Sequence, residues 1–288
     1  MIELLEPIGH CFGVINAIEL AKRTAKQFPN NKIYVFGLLV HNDEVTKELD
    51  VLGITTIDLT SIDPIERLKL FKNDEIVIFT AHGHPEKYEH ILKENNVTFI
   101  DATCGRVKRC FSLIKKAEHV IYIGKNNHPE AVAALTMNDH MYFYDINKKF
   151  DYEQVATDKP LVINQTTLSF LELKTIHEEI KKHIPNAEIV DEICNATLLR
   201  QQEIMNLNDD VDTIIIVGSK KSSNTMKLYE LAFSAHPNKQ IYLWENITDC
   251  QNSNIKFNHA VITSGTSTPI TTINEIKNCL ERKEALWM

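Results

Sequence analysis

The chain has 288 residues, 43% hydrophobic and 24% charged, a composition that excludes a disordered or fibrous protein and allows one large domain or two to three small ones. A formal charge of −8 speaks against broad nucleic-acid or anionic-membrane binding, while leaving room for a local pocket of the opposite sign. The longest apolar runs, such as 211–217, fall far short of the roughly 20 residues of a bilayer span, and Glu3 and Glu6 sit where a signal peptide needs a basic start; a cytoplasmic protein with no membrane insertion is expected.

In chain order, the sequence repeats itself. An apolar run at 2–5 reads as a strand leading to Cys11, after which Val14, Ala17, Ala21, Ala25 and Phe28 fall on one helical face. The segment 32–37 reads as a strand ending in glycine, with His41 and Asn42 beyond it; strands follow at 54–57 and 76–80, the latter running into Ala81, His82 and Gly83. The order restarts with a strand at 97–100, Cys104, a helix with Val107, Cys110, Ile114 and Ala117 on one face, and a strand at 119–124. His128, Pro129 and Glu130 come next, then strands at 141–144 and 161–164 and the segment QTTLS at 165–169. A third round runs from 189–193 through Cys194, a helix of weaker periodicity, a strand at 213–218, then Ser222, Ser223 and Asn224, strands at 241–244 and 260–263, and SGTS at 264–267.

Cys11, Cys104 and Cys194 stand 93 and 90 residues apart, and the polar groups follow them by 30, 24 and 28 residues. Three similar α/β modules are therefore expected, 1–95, 96–185 and 186–288, with polar boundaries near 93–96 and 182–186. Val/Ile-rich strands alternating with amphipathic helices imply parallel sheets covered on both faces, whose ligands gather beyond the carboxyl ends of the strands. Packed as a pseudo-threefold trefoil, such modules would turn the three cysteines and the polar groups toward one central cavity.

Six scattered cysteines without a secretory signal argue against a disulfide framework and for thiol or metal chemistry. Three matched thiolates suit an iron–sulfur cluster with one iron open to substrate, because iron takes soft sulfur ligands and a helix N-terminus after each cysteine would favour the thiolate. Zinc competes, without the local C-x-x-C or H-x-x-x-H spacing that would support it. Cys110, Cys250 and Cys279 break the repeat and read as ordinary buried residues. His41, His82 and His128, joined by Ser222, Ser223, Asn224 and Ser267, would form a donor-rich pocket suited to a phosphate or diphosphate, although Ser-Ser-Asn taken alone reads as a helix cap. Glu130 is the one carboxylate in the polar groups and a candidate proton donor, with Thr166 or Thr167 as relay; a glutamate after Pro129 also reads as a plain helix start. No P-loop or dinucleotide fingerprint is present, which argues against ordinary ATP or NAD chemistry.

At this point the sequence resembles the 4-hydroxy-3-methylbut-2-enyl diphosphate reductases, the LytB/IspH family. The resemblance spans nearly the whole chain through HCFGV (10–14), VHN (40–42), AHG (81–83), DATC (101–104), HPE (128–130), QTTLS, EICNAT (192–197), GSKKSSN (218–224) and SGTSTP (264–269). It implies a three-lobed α/β fold with a [4Fe-4S] cluster on Cys11, Cys104 and Cys194, the fourth iron taking the substrate's C4 hydroxyl. It further implies a diphosphate held by His41, His82, His128, Ser222, Ser223, Asn224 and Ser267, proton handling by Glu130 and Thr166, and electrons from a ferredoxin- or flavodoxin-type donor. The chain departs from the family's usual pattern at His10, Gly105, Asn127 and Lys221, and in a tail that ends early, at Met288.

Overall fold

A computed structural model describes residues Met1–Ala285; the expected tail feature at Met288 lies outside them. The first third comprises β1 (Ile2–Leu4), α1 (Phe12–Gln27), β2 (Lys32–Phe36), α2 (Asp43–Val51), β3 (Ile54–Ile57), α3 (Pro64–Lys69), β4 (Glu75–Phe79) and α4 (Glu86–Glu94). There follow β5 (Thr98–Asp101), α5 (Gly105–Lys116), β6 (Val120–Gly124), α6 (Pro129–Ala134), β7 (Met141–Asp145), β8 (Leu161–Asn164) and α7 (Phe170–His183). The chain continues through β9 (Glu188–Val190), α8 (Asn195–Met205), β10 (Thr213–Val217), α9 (Ser223–Ala235), β11 (Gln240–Trp244), α10 (Ile247–Asn252), β12 (Ala260–Ser264) and α11 (Ile270–Ala285).

The strands form three four-stranded sheets with equivalent orders, β3-β2-β4-β5, β7-β6-β8-β9 and β11-β10-β12-β1, and every pairing is parallel. The arrangement is pseudo-threefold. Strands β6, β10 and β12 are buried at every position, which is why they appear in the sequence as unbroken apolar runs; strands this central are covered on both faces.

The sheets do not follow the boundaries drawn from the repeat. The strand before each cysteine pairs in the preceding sheet: Phe79 stands opposite Asp101 in the β4–β5 ladder and Val162 opposite Ile189 in the β8–β9 ladder. The first strand completes the third sheet, with Leu4 opposite Ile262. Each cysteine thus sits at the crossing from one sheet to the next, and the helix behind it packs on the new sheet: Val14, Ala17, Ile18 and Ala21 of α1 share a core with Ile33, Val35, Ile76 and Ile78. The segments 93–96 and 182–186 are accordingly not linkers, since α4 and α7 end there and the chain turns directly into the last strand of the same sheet.

Cys110 lies in the core of the second module with Val107 and Ile114, as its place on an apolar helix face predicts. Cys250 and Cys279, by contrast, form a disulfide between α10 and α11, against the expectation of no such bridge. The reason is tertiary: the two helices pack together and place Cα atoms that are 29 residues apart in sequence within 6.6 Å. Among the described residues no helix is long and apolar enough to cross a membrane.

Candidate active site

The three cysteines occupy equivalent positions, each as the N-cap of a helix: Cys11 of α1, Cys104 of α5 and Cys194 of α8. Each is held by the loop that follows the central strand of the sheet it is leaving. The Cys11 amide donates to the Thr266 carbonyl, that of Cys104 to Ala81 and that of Cys194 to Thr166, at 3.0 Å in all three. All three thiols are free and only partly buried. Burial pushes the Cys11 thiol up from its ordinary value, while the backbone amide of Val14 pulls the other way and the neighbouring Cys194 and Cys104 add to the rise. For Cys11 the helix N-terminus therefore does not win over burial, contrary to the expectation of a lowered pKa.

One cavity is lined by all twelve residues singled out in the sequence: the cysteines, His41, His82, His128, Glu130, Thr166, Ser222, Ser223, Asn224 and Ser267. The imidazoles form a triangle, with ring centres 4.5 Å apart for His41–His82, 6.0 Å for His41–His128 and 5.8 Å for His82–His128. The His41 carbonyl accepts from the Ser267 hydroxyl (3.1 Å), tying the first module to the third. The Glu130 amide donates to His128 Nδ1 (3.2 Å), which leaves the proton of the neutral ring on Nε2. Burial lowers the pKa of all three histidines, that of His128 to about 3; His41 and His128 lower His82 further, His41 and Lys125 lower His128, and Lys221 lowers His41. Near neutral pH the three rings are therefore uncharged.

Ser222 caps α9 through its bond from the Thr225 amide, so the cap reading of this run is correct as far as it goes. It does not account for Asn224. Among the described residues neither Oδ1 nor Nδ2 of this buried amide has a hydrogen-bond partner, and His41 Nδ1 is likewise unpartnered. Buried polar groups are rarely left unpaired, and two such side chains lining one cavity mark it as a place for a polar ligand. The Thr167 and Ser223 hydroxyls meet at 3.2 Å, joining the second module to the third.

Glu130 is 2% exposed, in the first turn of α6. Thr166 donates to it twice, from its amide to Oε1 and from its hydroxyl to Oε2, both at 2.8 Å. Burial raises the carboxyl to about 7, and the Thr166 bonds offset only part of that rise. This is not the solvated helix-start glutamate that local sequence allows.

Whether the cysteines fit a metal group is decided by their spacing and chemistry. Among the described residues no three His, Cys, Asp or Glu side chains converge as around a single metal ion. A methyl built on Gly13 would stand 2.6 Å from Cys104 Sγ and 3.9 Å from Cys11 Sγ, so two thiols approach one another where only a glycine leaves room. The cysteines also line a second groove, with Phe12, Arg23, Arg106 and Arg109. Soft thiols from three loops, separated but facing common space, fit a polynuclear iron–sulfur group better than a lone ion.

The LytB protein family model matches residues 2–281. The chain belongs to the LytB family. The 4-hydroxy-3-methylbut-2-enyl diphosphate reductase of Malacoplasma penetrans is 36% identical over 97% of this chain and 96% of its own, and that of Bacillus cytotoxicus 37% identical over 96% and 89%. The solved E-1-hydroxy-2-methyl-but-2-enyl-4-diphosphate reductase of Plasmodium falciparum superposes with a TM-score of 0.83 at 28% identity, covering 96% of this chain and 87% of its own.

Two departures from the LytB motifs have a structural account. Asn127 has φ 63°, the left-handed conformation that a glycine adopts freely and asparagine tolerates better than most residues. Lys221 reaches Asp43 of the first module at 3.3 Å, an exposed bridge beside the cavity loops. Gly13 and Arg200 are the residues that sequence reasoning passed over. Gly13 stands inside the HCFGV motif and carried a signal in its spacing to Cys11; Arg200 carried none.

Proposed function

We propose that the chain reductively dehydroxylates 4-hydroxy-3-methylbut-2-enyl diphosphate to isopentenyl and dimethylallyl diphosphates, the last step of the non-mevalonate isoprenoid route. The observation that carries this reading is a single cavity in which free thiols, unpartnered donors and a buried, protonatable carboxyl meet. Cys11, Cys104 and Cys194 would hold a [4Fe-4S] cluster, which when bound supplies electrons and a Lewis-acidic iron for the hydroxyl oxygen.

The remaining chemistry belongs to the protein. His41, His82, His128, Ser222, Ser223, Asn224 and Ser267 bind and orient the diphosphate. Its negative charge favours protonation of the histidines, reversing the burial that keeps them neutral in its absence. The Asn224 amide gains the partners it lacks. Glu130, protonated over much of the range around neutrality, delivers a proton to the departing oxygen, and the Thr166 hydroxyl holds that carboxyl in place and relays. Two electrons and two protons convert the alcohol to alkene and water, so one proton leaves in the water and the other ends on carbon.

The electrons come from a ferredoxin- or flavodoxin-type protein; the second groove, where Arg23, Arg106 and Arg109 flank the same cysteines, supports an acidic donor of that kind. The reaction is placed in the cytoplasm, with no part for nucleic acid. Anaerobic purification followed by a visible spectrum, iron and sulfide analysis, and product formation with an artificial reductant tests the reading. A colourless protein with stoichiometric zinc overturns it.

A further inference from the structure

Helix α8 is the odd member of the three cysteine helices, because the side it buries is polar: Thr197, Arg200 and Gln201 accompany Ile204. Gln201 is engaged at the start of α7, accepting from the Phe170 amide (3.0 Å) and donating to the Leu168 carbonyl (3.1 Å). Arg200 has no comparable reason to be inside. It is 2% exposed, and a guanidinium withdrawn from water is costly unless anions or a full set of acceptors surround it. Its partners are two carbonyls. Nη1 donates to Ala196 (2.8 Å) and Nη2 to Gly9 (2.7 Å), and among the described residues Nε has no acceptor.

The identity of those carbonyls matters. Ala196, in the first turn of the same helix, lies two residues after Cys194, and Gly9 two residues before Cys11, so one side chain joins the start of the Cys194 helix to the backbone of the Cys11 loop. The same loop is also held on the third sheet, by the Gly9 amide donating to Ser264 Oγ (2.9 Å) and the Cys11 amide donating to the Thr266 carbonyl (3.0 Å). Burial pulls the guanidinium's pKa down, and the charges opposing that pull are those of Cys11 and Cys194 first, with Glu6 after them.

We propose that Arg200 is a positioning residue for the three-cysteine site: it staples the Cys11 loop to the Cys194 helix and supplies the buried positive charge that balances the thiolates there. The inference rests on the cluster reading given above. Removing the staple loosens two of three ligands at once. Removing the charge makes an added electron less welcome, since net charge and hydrogen bonding near the sulfurs set the potential of such a group.

Two variants separate these effects. Arg200→Gln removes the charge and retains one donor group; Arg200→Lys retains the charge but cannot span both carbonyls. Each is reconstituted anaerobically beside the parent. Circular dichroism follows the fold, iron release to a chelator the staple, and a mediated redox titration the charge. Both variants are expected to fold and to release iron about 10–100-fold faster than the parent, as for other residues that orient metal ligands. The Gln variant is expected to have a more negative midpoint potential and the Lys variant one near the parent's. A folded Gln variant that holds no iron while the Lys variant holds some also supports the assignment.

Parent-like iron retention and potential in Arg200→Gln would overturn this inference alone, as would equal potentials in the two variants. Failure of both variants to fold would return Arg200 to a purely structural role and overturn it as well. A reconstituted parent without iron would overturn the cluster reading, and this inference with it.

Discussion

Replacing Glu130 by glutamine separates a chemical role from a structural one, because the two make opposite predictions about stability. The carboxyl is raised from 4.5 to about 7 in the folded chain. Between those values the folded state holds a proton that the unfolded state has released, so the contribution of Glu130 to stability falls as pH rises through this window and is constant above it. The difference of about 2.5 pKa units corresponds to a penalty on the order of 3 kcal/mol at pH 8 and under about 1 kcal/mol at pH 5. Glutamine has no such penalty. It accepts from the Thr166 amide through Oε1 and, with its amide group donating, bonds the Thr166 hydroxyl in the reverse sense, so both contacts survive. Glu130→Gln should therefore be more stable than the parent at pH 8 by up to about 3 kcal/mol in urea unfolding under argon, with most of the gain lost by pH 5. With excess artificial reductant, turnover should fall by roughly 10²–10⁴-fold, the range of a lost general acid, while the cluster spectrum and substrate affinity persist. In the parent, turnover should decline above about pH 7 as the acid deprotonates. A Gln variant that turns over at the parental rate would remove Glu130 as the acid, and one no more stable at pH 8 than at pH 5 relative to the parent would show that the buried carboxyl carries no such penalty.

The cysteines, the anion pocket and Gly13 give three further tests. Serine at Cys11, Cys104 or Cys194 should abolish both iron loading and reduction, whereas Cys110→Ser, in the core of the second module, should load iron normally; iron analysis that shows the reverse pattern removes the threefold assignment. Asn224→Ala should raise KM for the diphosphate substrate more than it lowers kcat and leave the visible spectrum unchanged, and equal binding of substrate and its dephosphorylated alcohol to the parent would speak against the pocket. Gly13→Ala places a methyl 2.6 Å from Cys104 Sγ but improves helix propensity by up to about 1 kcal/mol, so it should keep or raise the thermal stability of the metal-free protein while cutting iron stoichiometry. Full iron loading in that variant would show that the sulfur has room to move.

The features legible in the sequence are local and repetitive. The apolar runs of β6, β10 and β12 declare themselves because strands buried on both faces need no polar alternation, and the matched places of Cys11, Cys104 and Cys194 follow from one unit written three times. The candidate residues around His41, His128 and Ser222 were visible for the same reason, as polar groups at equal distances past equivalent strands. Which sheet receives β1, β5 or β9 was not visible, because a short edge strand carries no mark of its partner, and pairing Leu4 with Ile262 depends on how the whole ring closes. The disulfide between Cys250 and Cys279 and the polar buried face of α8 are decided likewise by neighbours distant in sequence. Glu130 shows the division within one residue. Its carboxyl and its position after Pro129 are in the sequence, but the proton it keeps near neutrality comes from burial beneath Thr166, and burial belongs to the folded chain alone.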